Sequence, residues 1–159
     1  MRKIDSFKID HMKMQPGIYV AKKDITPMGD TITTIDIRMK KPNYSMICPE
    51  AMHTIEHLGA TFLRNDIWLG SEVIYFGPMG CCTGFYLILN GDYDSRQLVH
   101  TMQQLMSYIA SYEGEIPGSQ KSECGNFSYH SLSWAKSEAK EFLECLNNIK
   151  EEQLSYPEE

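Results

Sequence analysis

The chain lacks a long apolar run, a basic cluster and an even, well-spaced set of cysteines, and each absence removes a class of function. Its longest uninterrupted apolar stretch is five residues, Phe85–Leu89. A membrane-spanning helix needs about 20, so no membrane partner is expected. The opening residues Met-Arg-Lys-Ile-Asp-Ser-Phe-Lys-Ile-Asp carry no apolar core of the kind a secretory leader has, and a cytoplasmic location is expected. Lys and Arg number 15 against 21 Asp and Glu, a net charge of -6. The basic residues are scattered, with pairs such as Lys22-Lys23 and Lys40-Lys41 the longest runs. Phosphate binding relies on clustered cations, so no nucleic-acid partner is expected. The five cysteines are odd in number and two of them, Cys81 and Cys82, are adjacent, a poor layout for a disulfide framework. No repeat, low-complexity tract or linker interrupts the chain, and 159 residues suit one domain spanning 1–159.

What is present reads as alternating β and α patterns. Residues 17–24 and 30–39 are rich in β-branched residues and read as strands, with Pro27, Gly29 and Asp30 supplying a turn between them. Pro49 suits the first position of a helix, with Glu50 in its first turn, and apolar spacing carries that helix to about Asn65. Val73–Phe76 and Phe85–Leu89 read as strands about a tight loop in which Gly77, Gly80 and Gly84 let the backbone turn and approach a ligand closely. A helix is expected over 95–112 with Asp94 as its N-cap, then a Gly/Pro-marked loop over 113–130, then a helix over 132–148 capped by Ser131. These elements predict an α+β domain, a mostly antiparallel sheet with helices packed on one face.

The segment His53-Thr54-Ile55-Glu56-His57 falls inside the first helix. At about 100° per residue, His53 and His57 lie about 40° apart and one turn above each other, with Glu56 about 60° from His53. Two imidazoles so placed can grip one metal ion while the carboxylate reaches a group bound to it, the H-x-x-E-H arrangement. The competing reading is a solvated helix face. A catalytic site needs a third ligand. Cys124, in a Gly-flanked polar loop, is the best candidate and on local sequence is equally a structural thiol. Cys48 lies too near the helix start and Cys145 in a core pattern, while His100 and His130 read as ordinary surface or core histidines. Cys81 in its Gly-rich loop reads first as packing in a crowded turn, and second as a nucleophile or proton carrier if a metal or positive charge stabilises its thiolate. A metallopeptidase would use the same helix, but it needs a downstream Glu ligand and the 95–112 pattern contains none. A closed, non-enzymatic metal site is the other alternative.

The motifs, in order, are Ser6-Phe7-Lys8-Ile9-Asp10-His11, Ile35-Asp36-Ile37-Arg38 followed by Pro42-Asn43, His53-Thr54-Ile55-Glu56-His57-Leu58, Pro78-Met79-Gly80-Cys81, Thr83-Gly84-Phe85-Tyr86 and Cys124-Gly125. In this order and spacing the chain resembles the S-ribosylhomocysteine lyase (LuxS) family nearly end to end. The resemblance implies a cytosolic homodimer with metal sites near its interface. It implies His53, His57 and Cys124 as ligands to Fe(II), with Zn(II) or Co(II) able to substitute, and Glu56 and Cys81 as the acid–base pair. It implies that Ser6, His11 and Arg38 contact the sugar part of S-ribosylhomocysteine and that Arg64 helps hold the homocysteine part. The expected products are homocysteine and 4,5-dihydroxy-2,3-pentanedione, the precursor of autoinducer-2. The chain departs from the common family pattern at Tyr75 and Gly77, where many members carry Asp-x-Ser, and at Cys82, which is read as inert.

Overall fold

A computed structural model describes residues 7–157. The strands are β1 (Gly17–Ile25), β2 (Thr31–Arg38), β3 (Val73–Pro78) and β4 (Gly84–Asn90), and the helices are α1 (Pro49–Arg64), α2 (Ser95–Ser111) and α3 (Leu132–Asn147). The sheet is antiparallel throughout, in the order β1-β2-β4-β3, so the α+β expectation holds. Two 3₁₀ turns, Gly70–Glu72 and Glu151–Gln153, add to the expected elements; three residues are too few to show either hydrophobic period.

Register decides what each face of the sheet carries. Ile35 and Ile37 on β2 pair with Leu87 and Phe85 on β4, all fully buried in a core shared with Leu89 and with residues of α1, α2 and α3. Burying each such apolar side chain contributes roughly 1.5–3 kcal/mol, and a one-residue slip would turn the whole set to the other face. The alternate positions, Ile32, Thr34, Asp36 and Arg38 of β2 with Tyr86 and Ile88 of β4, therefore face away from the helices. The chain after α3 returns to this outer face, where the Tyr156 ring stacks on Tyr19 with centroids 5.0 Å apart.

The helix starts follow the sequence, with one exception. Asp94 accepts from the Gln97 N–H while the Gln97 side chain accepts from the Asp94 N–H, a reciprocal cap for α2. Ser131 occupies the N-cap of α3 but its side chain makes no capping bond. Instead its N–H donates to Thr54 Oγ1 at 3.0 Å, tying the preceding loop to α1. The tight β3–β4 turn is present, and its left-handed residue could not be read from the sequence. Its left-handed residue is Cys82, at φ 58°, and none of Gly77, Gly80 or Gly84. Cys82 is held there by its N–H to the Met79 carbonyl and by the Ile47 N–H to its own carbonyl, 2.9 and 2.8 Å. Gly84 matters for approach: a Cβ there would lie 2.2 Å from the Ile37 carbonyl oxygen. Among the described residues no helix is long and apolar enough to cross a membrane.

Candidate active site

The buried stripe of α1 runs through Ala51, Met52, Ile55, Leu58 and Leu63, which leaves His53, Glu56 and His57 half-buried on its flank. His53 Nδ1 donates to the Tyr129 carbonyl at 2.7 Å and His57 Nδ1 to the Pro117 carbonyl at 2.8 Å. Carbonyls only accept, so each proton sits on Nδ1 and each Nε2 presents a lone pair. Both Nε2 atoms face Cys124 Sγ, at 3.4 and 3.9 Å. A backbone carbonyl holding the outer nitrogen is the usual way a protein orients a metal-binding imidazole. Glu56 lines the same cavity of about 490 Å³ with His53, His57 and Cys124 and is not part of the donor cluster.

His130, expected to be ordinary, belongs to this cluster. Its ring stacks on His53 with centroids 4.0 Å apart, and its ligating nitrogen lies within 4.8 Å of those of His53, His57 and Cys124. Burial and the facing rings of His53 and His57 push its pKa down to about 4, so it is a neutral imidazole at physiological pH. Its buried Nε2 has no hydrogen-bond partner. Two oriented lone pairs, a thiol and an orphaned imidazole nitrogen fit a first-row divalent cation that favours N and S donors. Periodicity gave no sign of His130, because it lies in a loop 77 residues after His53 and only tertiary packing brings it in.

Thr54 holds these pieces together. Fully buried, it donates to the Glu50 carbonyl and accepts the Ser131 N–H, pinning the end of the 113–130 loop beside His130. Thr54→Val keeps the shape and deletes the hydroxyl. Removing such a supporting group is expected to weaken metal affinity about 10-fold or more, measured by competition with a chromophoric chelator.

A second cavity, of about 380 Å³, is lined by His11, Arg38, Pro42, Asn43, Cys81 and Thr83 among others. Arg38, buried on the outer sheet face, is clamped by both oxygens of Asp36, with Nε–Oδ1 3.1 Å and Nη2–Oδ2 2.6 Å. Its Nη1 donates to Thr83 Oγ1 at 2.6 Å and lies 3.7 Å from Cys81 Sγ. Thr83 Oγ1 thus accepts from Arg38, leaving its own proton for Cys81 Sγ, 3.1 Å away. Partial desolvation raises the Cys81 thiol, but hydrogen bonds from Thr83 and the charge of Arg38 outweigh it, and the net effect lowers the thiol below its ordinary value. His11 Nδ1 donates to the Ile9 carbonyl at 2.9 Å, which frees Nε2 for a ligand.

Residues 4–153 match the model of the family described as S-Ribosylhomocysteinase (LuxS). The chain is 54% identical to the S-ribosylhomocysteine lyase of Borreliella burgdorferi strain ZS7, over 99% of this chain and 100% of that protein. It is 53% identical to the protein of the same name from Finegoldia magna, with the same coverage, and 49% identical to that of Clostridium acetobutylicum, over 99% of this chain and 100% of that protein. The chain belongs to the S-ribosylhomocysteinase (LuxS) family. A metallopeptidase with a carboxylate third ligand is thereby set aside; the donors grouped with the two helix imidazoles are the Cys124 thiol and the His130 ring, with no carboxylate among them.

For a LuxS chain, the residues expected to act together fall into two groups. His53, Glu56, His57 and Cys124 share one cavity, and His11, Arg38 and Cys81 share the other, with no lining residue in common. Glu56 and Cys81 thus line different cavities of the chain. Arg64 is in neither group: its Nη1 and Nη2 donate to the carbonyls of Val73 and Ile74 at 3.1 and 3.0 Å, joining the end of α1 to β3. Ser6 lies outside the described residues. Tyr75 and Gly77, the departures from the LuxS pattern, act as a unit. A Cβ on Gly77 would lie 2.0 Å from the Tyr75 hydroxyl, so a side chain there would have to displace the half-exposed Tyr75 ring.

Proposed function

We propose that this chain is an S-ribosylhomocysteine lyase, releasing homocysteine and 4,5-dihydroxy-2,3-pentanedione from S-ribosylhomocysteine. The observation that carries this reading is the convergence of two oriented Nε2 lone pairs and the Cys124 thiol beside Glu56 in a chain of this family. The C5–S bond of the substrate is not activated until a carbonyl stands at C3. The ribose opens to its C1 aldehyde, and proton transfers move the carbonyl from C1 to C2 and from C2 to C3. The C4 proton is then acidic; its removal and loss of the C5–S bond expel homocysteine. Each step needs a carbon proton taken from one face and an oxygen proton delivered from another, which asks for two acid–base groups. Glu56 and Cys81 are assigned those roles, and the lowered thiol of Cys81 suits it to act as a base near neutral pH. His53, His57 and Cys124 would hold the metal, proposed to be Fe(II) with Zn(II) or Co(II) able to substitute, and such an ion supplies Lewis-acid stabilisation of negative charge on the sugar oxygens. His11 through its free Nε2, Arg38 and Ser6 are assigned to the sugar, and Arg64 to the homocysteine part.

We further infer a homodimer, in the cytoplasm, with a composite site. The metal half of one copy would face the Cys81 half of the other, since neither cavity alone holds both acid–base groups. The outer sheet face supports this, with Ile32, Tyr75, Tyr86 and Ile88 lining an apolar hollow suited to a second copy. The deciding experiment incubates anaerobically prepared, Fe(II)-loaded protein with S-ribosylhomocysteine and follows thiol release. Thiol is expected to appear, and to stop on chelation. No release from the loaded protein would overturn the reading and return the cluster to a closed site of three histidines and one cysteine.

A further inference from the structure

The outer sheet face holds a chain of contacts that the assignments above leave unused. Tyr156 donates its hydroxyl to Asp36 Oδ2 at 2.8 Å, the same oxygen that accepts from Arg38 Nη2 at 2.6 Å. Asp36 and Arg38 are 1% and 3% exposed, so no water replaces a missing partner cheaply. The Arg38 guanidinium is planar, and with Nε and Nη2 fixed by the two Asp36 oxygens, the direction of Nη1 is fixed as well. Nη1 is the atom that reaches Thr83 and the Cys81 sulfur. The Tyr156 ring is itself held by its stack on Tyr19, and burial beside Asp36 keeps its phenol protonated and therefore a donor.

We propose that Tyr156 is a positioning residue for Cys81, acting through Asp36 and Arg38. The inference rests on the reading of Cys81 as a proton carrier. The Tyr156 hydroxyl satisfies the second lone pair of Asp36 Oδ2, so the carboxylate stays square to the guanidinium and Nη1 stays on the thiol. Without that hydroxyl a buried Asp36 acceptor is left unmet, which loosens the carboxylate and with it the aim of Arg38 Nη1 at Cys81. The charged and titratable groups around this chain include Asp36 and Arg38 of β2, Tyr19, Lys22 and Asp24 of β1, Tyr86 of β4, Cys145 of α3, Tyr156 of the tail and His11, which lines the same cavity as the thiol.

The test uses the full, metal-loaded protein and needs no substrate. Iodoacetamide alkylation of Cys81 is followed against pH, with fragment-ion mass spectrometry separating Cys81 from Cys82. In Tyr156→Phe, which keeps the ring and deletes the hydroxyl, the midpoint of the Cys81 profile is expected to rise by about half to one pH unit, so the rate at pH 7 falls roughly three- to tenfold. Tyr156→Leu, which also removes the stack, is expected to shift at least as far. Tyr19→Phe deletes the neighbouring hydroxyl, bonded instead to the Gln15 carbonyl, and is expected to leave the profile in place. An unmoved midpoint in both Tyr156 variants, or an equal shift in Tyr19→Phe, overturns the proposal. Thiol release by the unsubstituted protein tests the lyase reading separately, so the two can fail independently.

Discussion

Cys81→Ala and Glu56→Gln are each expected to lower homocysteine release by about 10³-fold or more, the scale of a lost acid–base group, while metal content stays at the wild-type level. The separation of the two effects follows from the geometry. The donor cluster is His53, His57, Cys124 and His130, whereas the polar partners of the Cys81 sulfur are Thr83 and Arg38. Glu56 lines the metal cavity without joining the donor cluster. Cys124→Ala is the counterpart. It removes the sulfur that both Nε2 atoms face, and both metal and thiol release are expected to be lost. Metal analysis and a thiol assay on the three variants decide the matter. If Cys81→Ala emptied the protein of metal and Cys124→Ala did not, the roles assigned to the two cysteines would be exchanged.

Much of this is legible in the sequence, and the parts that are not share a cause. The H-x-x-E-H geometry follows from helical spacing alone, because all three side chains belong to one element whose apolar stripe fixes its orientation. The sheet faces follow from alternation in β2 and β4, where Ile35 and Ile37 oppose Leu87 and Phe85. Cys124 could be suggested only as a loop thiol; its placement depends on Thr54 holding the loop end to α1, a contact 77 residues apart that no local pattern encodes. His130 reads as an ordinary histidine for the same reason, since only tertiary packing brings it to the donor group. The tight turn about Gly77, Gly80 and Gly84 is legible, but its left-handed residue, Cys82, is not, because the bond from Ile47 that holds it comes from a different part of the chain. Arg64, which the resemblance places beside the homocysteine part, bonds the carbonyls of Val73 and Ile74 through Nη1 and Nη2, contacts that helical spacing does not announce. The Asp36–Tyr156 bond links β2 to the tail and is invisible to any window-based reading.

Mixing the two inactive variants is expected to restore activity, and this is the sharpest consequence of the divided site. Glu56→Gln spoils the metal half and leaves the Cys81 half intact; Cys81→Ala does the opposite. When equal amounts are unfolded together, refolded and reloaded with metal, half of the dimers formed at random are mixed. In each mixed dimer one site combines both damaged halves. The other combines an intact Glu56 half from one copy with an intact Cys81 half from its partner. One live site in half of the dimers amounts to about a quarter of wild-type thiol release, if a closed two-fold dimer builds each site across its interface. Each variant refolded alone supplies the baseline. If Glu56 and Cys81 of the same chain worked together, every site in the mixture would carry one lesion and release would stay at that baseline. The separate linings of the two cavities argue for recovery, since the proposed dimer brings the Glu56 half of one copy to the Cys81 half of the other.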